Sequence, residues 1–171
     1  TMMNFPSPAA GFDEPFAMLH ACHERVERSL TLLERLAAHV AQHGADRQAQ
    51  DAARDVLRYF DLAAPQHHED EERHVLPALR AQGQAALAER IAADHAAMSA
   101  AWHALRLCLA AIERGDASLA LPNVPRFAAL YREHIALEEG SAFTCAQSAL
   151  DEAAQRAMGR EMAQRRGVVV T

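Results

Sequence analysis

The residues most able to do chemistry stand in two copies of one short pattern, His-x-x-x-Glu-Glu. The first copy begins at His67 and the second at His134. Residues four apart on an α-helix share a face one turn apart, so each histidine and its first glutamate, Glu71 or Glu138, can point at one object. Imidazole and carboxylate groups that converge from two helices suit a metal ion. The repeated pattern therefore predicts a cation bound between two helices.

Two further histidines, His23 and His95, stand alone within apolar helical patterns. His95, for example, lies between Ile91 and Met98. Each half of the chain thus reads as a helix with one histidine, a turn, and a helix with His-x-x-x-Glu. In an antiparallel bundle, two such halves would bring four histidines and two glutamates to one level.

A single His-x-x-x-Glu pair is more often a solvated ion pair on a helix surface than a pair of ligands. The apolar neighbours argue against that alternative, because His134 lies between Leu130 and Leu137. Burial of four histidines and two glutamates without a cation would carry a large desolvation cost. A metal site is the favoured interpretation, and a metal-free helical interaction protein is the alternative.

Helices must position these residues, and the composition agrees: half of the residues are hydrophobic but only 5% are aromatic. Apolar periodicity, glycines and the capping candidates Asp46, Asn123 and Asp151 predict helices over about 13–43, 46–82, 84–114, 123–150 and 151–167. Pro65 should kink the second helix or begin a new segment. Short loops favour antiparallel neighbours, so we expect an all-α, up-down-up-down four-helix bundle with an additional short C-terminal helix.

The same reading divides the chain into an N-terminal arm, the bundle and a packed C-terminal helix. The arm is residues 1–12, where prolines precede any periodicity, the bundle is 13–150, and the last helix is 151–167. Within this plan we expect Asp70 to be a surface charge, His74 to face solvent, and Arg165 with Arg166 to form an isolated pair at a solvated helix end.

Together the histidine-bearing segments resemble the hemerythrin-like family, also called the HHE cation-binding domain. One matching segment lies in each long helix, in the family's order: 19–26, 67–77, 93–95 and 134–139. The resemblance covers roughly residues 13–148. Members of the family often have a proline ten residues after the ligand histidine; Pro77 matches it in the second helix, whereas the fourth helix lacks it. The resemblance implies a non-haem di-iron centre, with bridging carboxylates from Glu71 and Glu138. The implied ligand set is His23, His67, Glu71, His95, His134 and Glu138.

The third helix departs from the oxygen-carrying members of that family, which place two histidines one turn apart there. Ile91 and Ser99 occupy the positions four before and four after His95, so one iron lacks a nitrogen ligand. His68 is the favoured replacement and His20 is the alternative. Water or a second carboxylate oxygen would otherwise complete the coordination.

A donor set rich in imidazole suits iron better than zinc, calcium or magnesium, whereas manganese stays open. We expect two carboxylate-bridged iron ions as cofactor and a small diatomic or peroxidic partner, such as O₂, NO or peroxide, for sensing, storage or protection. The sequence has no phosphate loop and no nucleophile motif, so a binding protein is favoured over an enzyme. A di-iron enzyme that reduces peroxide or NO is the alternative.

Composition argues against several other classes. The net charge is −6, the chain has no lysine, and its 17 arginines form no large cluster, so we expect no nucleic-acid partner. No apolar stretch reaches the roughly 18 residues of a membrane span, and no secretory signal is evident. The three cysteines lack C-x-x-C spacing, which favours a cytoplasmic protein. The sequence does not decide the oligomeric state, and a homodimer is one alternative.

Overall fold

A computed structural model describes residues 11–116 and 121–168, and every regular element in those ranges is helical. Helix α1 is Pro15–His43, helix α3 is Ala85–Glu113 and helix α5 is Glu152–Arg165. Helix α2 joins five pieces, of which the second and fourth are π turns: Arg47–Arg58, Tyr59–Ala63, Ala64–Asp70, Glu71–Val75 and Leu76–Ala81. Helix α4 joins three, with a π turn in the middle: Val124–Leu137, Glu138–Ala142 and Phe143–Ser148.

The expected all-α fold, a helical bundle with a short final helix, is confirmed over the described ranges. None of the helices described there is long and apolar enough to cross a bilayer. The predicted arm lies mostly outside the described residues. Its last residue, Phe12, is only 3% exposed and packs into the core.

Local signals set most of the helix ends. The side chains of Asp46 and Asp151 each accept a hydrogen bond from the backbone N–H three residues on, at 2.9 and 2.7 Å, and so cap α2 and α5 as expected. Asn123 precedes α4 but makes no such bond, so that predicted cap is wrong. After α1 the chain turns at Gly44, whose φ of 70° is a conformation that suits glycine.

The π turns in α2 and α4 are the main local feature that the sequence did not indicate. Pro65 does not interrupt α2, because the π turn Tyr59–Ala63 precedes it and the backbone stays helical. The other two π turns begin at Glu71 and Glu138, the first glutamates of the two sequence patterns. Such turns widen a helix locally and are frequent at functional sites. Proline is not their common cause, since Pro77 follows the turn in α2 whereas α4 has no equivalent.

The core divides along the bundle into two apolar clusters. The first apolar cluster includes Leu30, Leu33, Phe60, Leu109 and Phe127. The second apolar cluster includes Phe16, Leu19, Leu76, Ile91 and Met162. Each of the four long helices contributes to both clusters. Between its contributions each helix carries the histidines and glutamates that the sequence singled out, so a polar layer separates two apolar ones.

Helix α5 is fastened to α2 by an internal ion pair. Asp70 is fully buried, and its carboxylate accepts hydrogen bonds from Arg166 at 2.6 and 2.9 Å and from Arg165 at 2.8 Å. The expectations of a surface Asp70 and a solvated arginine pair are therefore wrong. Gly159 permits the close approach of α5, because a Cβ there would lie 1.9 Å from the carbonyl oxygen of Phe12. The residues after the predicted bundle thus support its interior.

Replacing both arginines should leave Asp70 as an uncompensated buried charge. We expect Arg165→Ala/Arg166→Ala to lower the free energy of unfolding of the metal-free protein by about 3–5 kcal/mol, measured by urea denaturation. The matched control is Arg156→Ala/Arg160→Ala on the exposed face of the same helix, which should change it by less than about 1 kcal/mol. Equal losses in the two double variants would contradict the assignment.

Candidate metal centre

The polar layer between the two apolar clusters contains all six residues of the implied ligand set. One histidine comes from α1, one from α3, and a histidine–glutamate pair comes from each of α2 and α4. The histidines are at most 6% exposed, and both glutamates are fully buried. The structure therefore brings together donors from four helices that lie far apart in the sequence.

Each glutamate lies between a histidine of its own helix and a histidine of a neighbouring helix. Oε1 of Glu71 is 3.2 Å from Nε2 of His67 and 3.5 Å from Nε2 of His95. Oε1 of Glu138 is 2.6 Å from Nε2 of His134 and 3.5 Å from Nε2 of the α1 histidine. The two halves of the chain thus repeat one arrangement about a carboxylate, in keeping with the duplicated sequence pattern.

Most donor and acceptor atoms of this layer have no hydrogen-bond partner within the described part of the chain. The short approaches above lack hydrogen-bond geometry, and the unpartnered atoms are Nε2 of His23, His95 and His134, both ring nitrogens of His67, and both carboxylate oxygens of Glu71 and Glu138. Buried polar atoms without partners are costly, and carboxylates are the costliest. A cation among them would remove most of that cost, so the donor set fits a metal.

Two groups of donors are compact enough to hold an ion each. In the larger group, one atom of each residue lies within 4.8 Å of the others: His23, His67, Glu71 and Glu138. The same limit defines a second group of three: His68, Glu71 and His95. Glu71 belongs to both groups, so its carboxylate is placed to link two ions. His134 belongs to neither group and adjoins the site through Glu138.

The outer ring nitrogens of two histidines contact the second glutamates of the two patterns. Nδ1 of His23 is 2.6 Å from Glu139, and Nδ1 of His95 is 2.8 Å from Glu72. Because a carboxylate can only accept, Nδ1 donates and Nε2 keeps its lone pair for the interior of the site. These contacts fix both the tautomer and the orientation that a metal ligand needs.

The two histidines considered as replacement ligands occupy different places. His68 is half-buried, and its ring stacks on His95 with centroids 4.3 Å apart. His20 is 45% exposed, and its Nδ1 contacts Glu139, on the outer side of His23. Of the two, only His68 lies in a compact donor group among the described residues.

Burial controls the protonation of the layer. It lowers the pKa of His134 to about 4, against the opposing effect of the hydrogen bond that His134 donates to Asp94, and it lowers the pKa of His67 well below its usual value. Burial also raises the pKa of the Glu71 carboxyl. For His95 burial acts to lower the pKa, but Glu71 and Glu72 together raise it. Neutral His67 and His134 are ready to bind a metal near neutral pH without losing a proton.

Sequence reasoning missed one member of the site and misplaced another residue. Asp94 accepts from Nδ1 of His134 at 3.1 Å, and its place beside His95 was the available signal. His74 does not face solvent as expected: it is half-buried, and its Nε2 lies 2.7 Å from a carboxylate oxygen of Glu161 on α5.

The depressed pKa of His134 predicts an acid-sensitive metal-free protein. The unfolded chain takes up this proton near pH 6.5, but the folded chain does so only near pH 4, so stability falls as the pH drops below 6.5. Between pH 7 and pH 5, protonation of His134 in the unfolded chain should lower the free energy of unfolding by about 2 kcal/mol. Urea denaturation at both pH values should show this extra loss in the wild type and in exposed His103→Asn. If His134→Asn showed the same pH dependence as the wild type, the assignment of this loss to His134 would be refuted.

Comparisons with known proteins also point to a cation-binding domain. The chain matches the hemerythrin HHE cation-binding domain over residues 14–146, a range that includes all six residues of the implied ligand set and ends before α5. It is also similar to a protein of Haemophilus influenzae strain Rd that is described only as uncharacterized, with 33% identity over 169 residues, 95% of this chain and 96% of that protein. The chain belongs to the hemerythrin HHE cation-binding domain family.

Proposed function

We propose that this protein binds two non-haem iron ions in the polar layer of its bundle. The ligands are His23, His67, Glu71, His95, His134 and Glu138, with His68 as a further nitrogen donor. Glu71 and Glu138 bridge the two ions. The observation that carries the proposal is the set of buried donor atoms without protein partners, which a cation would satisfy.

The donor chemistry favours iron over the common alternatives. The set consists of imidazoles and bridging carboxylates without thiolate, whereas structural zinc sites are built on cysteine, and calcium or magnesium would be bound by oxygen alone. Neutral imidazole together with carboxylate is a set that iron accepts. Outer carboxylates that orient three of the histidines also support a metal site, because metal-bound histidine usually donates its second N–H to such a group.

The bound iron would supply the affinity for a small diatomic or peroxidic ligand such as O₂, NO or peroxide. We propose binding of this kind for sensing, storage or protection, in the cytoplasm, rather than a turnover enzyme. The chain's own contribution is to hold the ions between two apolar clusters that limit contact with bulk water. A hydrophobic shell of this kind controls solvent access to a metal and hence its reactivity.

Metal analysis tests the site directly. Protein loaded anaerobically with ferrous iron should hold two iron ions per chain, measured by elemental analysis after gel filtration. His95→Ala should lower the iron content, because it removes a ligand from the compact group with Glu71. His103→Ala, which removes an exposed histidine two turns along the same helix, should leave it unchanged. Wild-type protein that retains no iron would contradict the proposed function.

The third helix makes a further prediction about oxygen. Ile91 is fully buried in the second apolar cluster and Ser99 is exposed, so neither position offers a second imidazole from α3. The remaining nitrogen donor for this ion, His68, is only half-buried, so water can still reach the ion, which favours oxidation of the iron over release of intact O₂. Reduced protein exposed to air and then degassed should stay oxidised, as followed by its absorption spectrum. Full recovery of the reduced spectrum over repeated cycles would instead indicate a reversible carrier.

A further inference from the structure

A groove on the surface of the bundle runs between α3 and α4. It has a volume of about 620 Å³, and none of the six candidate ligands lines it. Its α3 wall consists of alanines, of which three are exposed and one is partly buried: Ala97, Ala100, Ala101 and Ala104. The distance between packed helices depends on the side chains at the contact, so methyl groups permit a close approach. The groove can therefore receive another helix.

The α4 wall of the groove is apolar in the middle and charged on either side. Ala129 and Leu130 lie in the middle, Arg126 lies about one turn before them and Glu133 about one turn after. Residues seven apart on an α-helix share a face and lie about 10 Å apart along the axis. An apolar centre with a polar rim is the usual anatomy of a protein–protein interface.

The two charged residues of the groove are free to pair with a partner. Both are exposed, and neither Arg126 nor Glu133 makes a hydrogen bond or an ion pair with another residue that the structure describes. Arg132 lies on the same helix but is already engaged, because its guanidinium pairs with Glu27 and Glu34 of α1. The unpaired charges of the α4 wall therefore belong to the groove and not to the contacts that hold the bundle together.

The order of these charges makes the groove complementary to itself. When a two-fold axis passes over the middle of the α4 wall, two copies of α4 face each other in antiparallel directions. Arg126 of one copy then meets Glu133 of the second copy, and the symmetry repeats the same pair on the other side of the axis. Leu130 and the alanines of both copies lie between the two pairs, where contact removes their apolar surface from water.

The charge of the groove favours a second copy over other partners. The chain as a whole has a net charge of −6, so two copies in general repel each other. The groove has one arginine and one glutamate, so its own charge is zero. A nucleic acid would need a basic face, and a basic protein would need an acidic one. A neutral and self-complementary surface fits another copy of the same chain.

We propose that two copies of this protein associate through the α3–α4 groove in a two-fold symmetric dimer, held by two Arg126–Glu133 ion pairs around an alanine-rich centre. The inference goes beyond the proposed function, because it assigns a partner and a surface that involve none of the candidate ligands. The groove covers about two turns of α3 and three of α4, which corresponds to a small interface. We therefore expect a dimer that dissociates at micromolar concentrations.

Sedimentation velocity over a range of protein concentrations tests the dimer. The wild-type protein should change from monomer to dimer as its concentration rises through the micromolar range. Arg126→Glu alone and Glu133→Arg alone should each raise the dissociation constant about tenfold or more, because like charges then face each other on both sides of the axis. Wild-type protein that stays monomeric up to millimolar concentration, or a dimer that neither charge reversal weakens, would overturn the proposal.

A mixture of the two charge-reversal variants tests the geometry of the pairs. Arg126→Glu protein mixed with an equal amount of Glu133→Arg protein should dimerise about as tightly as the wild type, because each mixed dimer regains both ion pairs. The double variant Arg126→Glu/Glu133→Arg should regain the dimer by itself for the same reason. Mixing cannot repair a variant that fails to fold, so recovery reports the contact itself. If neither the mixture nor the double variant recovers, the proposal is overturned.

A bulky substitution tests the apolar centre of the interface. Ala100→Trp should raise the dissociation constant about tenfold or more, because the indole would keep the two copies of the α3 wall apart. The matched control is Ala86→Trp, which places the same side chain on the exposed first turn of α3, outside the groove, and should leave the dissociation constant unchanged. Equal effects of the two substitutions would overturn the assignment of this groove as the interface.

Discussion

The rest of this structure depends on two carboxylates that are buried in the middle of the helical bundle. Glu71 and Glu138 have no exposed surface and no hydrogen-bond partner in the described chain. An ionised carboxylate in such a place is far too costly unless a cation or a proton compensates it. The burial raises the pKa of the Glu71 carboxyl in the metal-free protein, and a bound metal would reverse that preference. The inward histidines and the split core both follow from keeping these two groups together.

Asp70, Glu71 and Glu72 are neighbours in the sequence but have different roles, because their side chains face different groups. Asp70 is as deeply buried as Glu71, but its charge is balanced by Arg165 and Arg166. Glu71 has no arginine and faces imidazoles instead. Glu72 lies near the surface and accepts from His95. Three consecutive residues of α2 thus fasten α5, supply a candidate ligand and orient a histidine, because the helix turns each of them toward a different neighbour.

The two halves of the chain repeat the ligands but not the surroundings. His68 follows His67, whereas Ile135 follows His134 and packs against the first apolar cluster. Asp94 precedes His95 and accepts from His134, whereas Cys22, a buried thiol, precedes His23. The six candidate ligands therefore repeat between the two halves, whereas the extra histidine and the outer contacts do not.

The sequence by itself determined the helices, the two His-x-x-x-Glu pairs and the level at which four helices meet, because 3.6-residue periodicity and i, i+4 spacing are local properties. It did not indicate the π turns at Glu71 and Glu138, because the apolar periodicity runs through both positions as it would in a continuous α-helix. Nor could it show that Asp70 pairs with two arginines nearly a hundred residues away, or that Asp94 accepts a hydrogen bond from His134. Those contacts depend on which faces of α3, α4 and α5 meet, and only tertiary packing decides that.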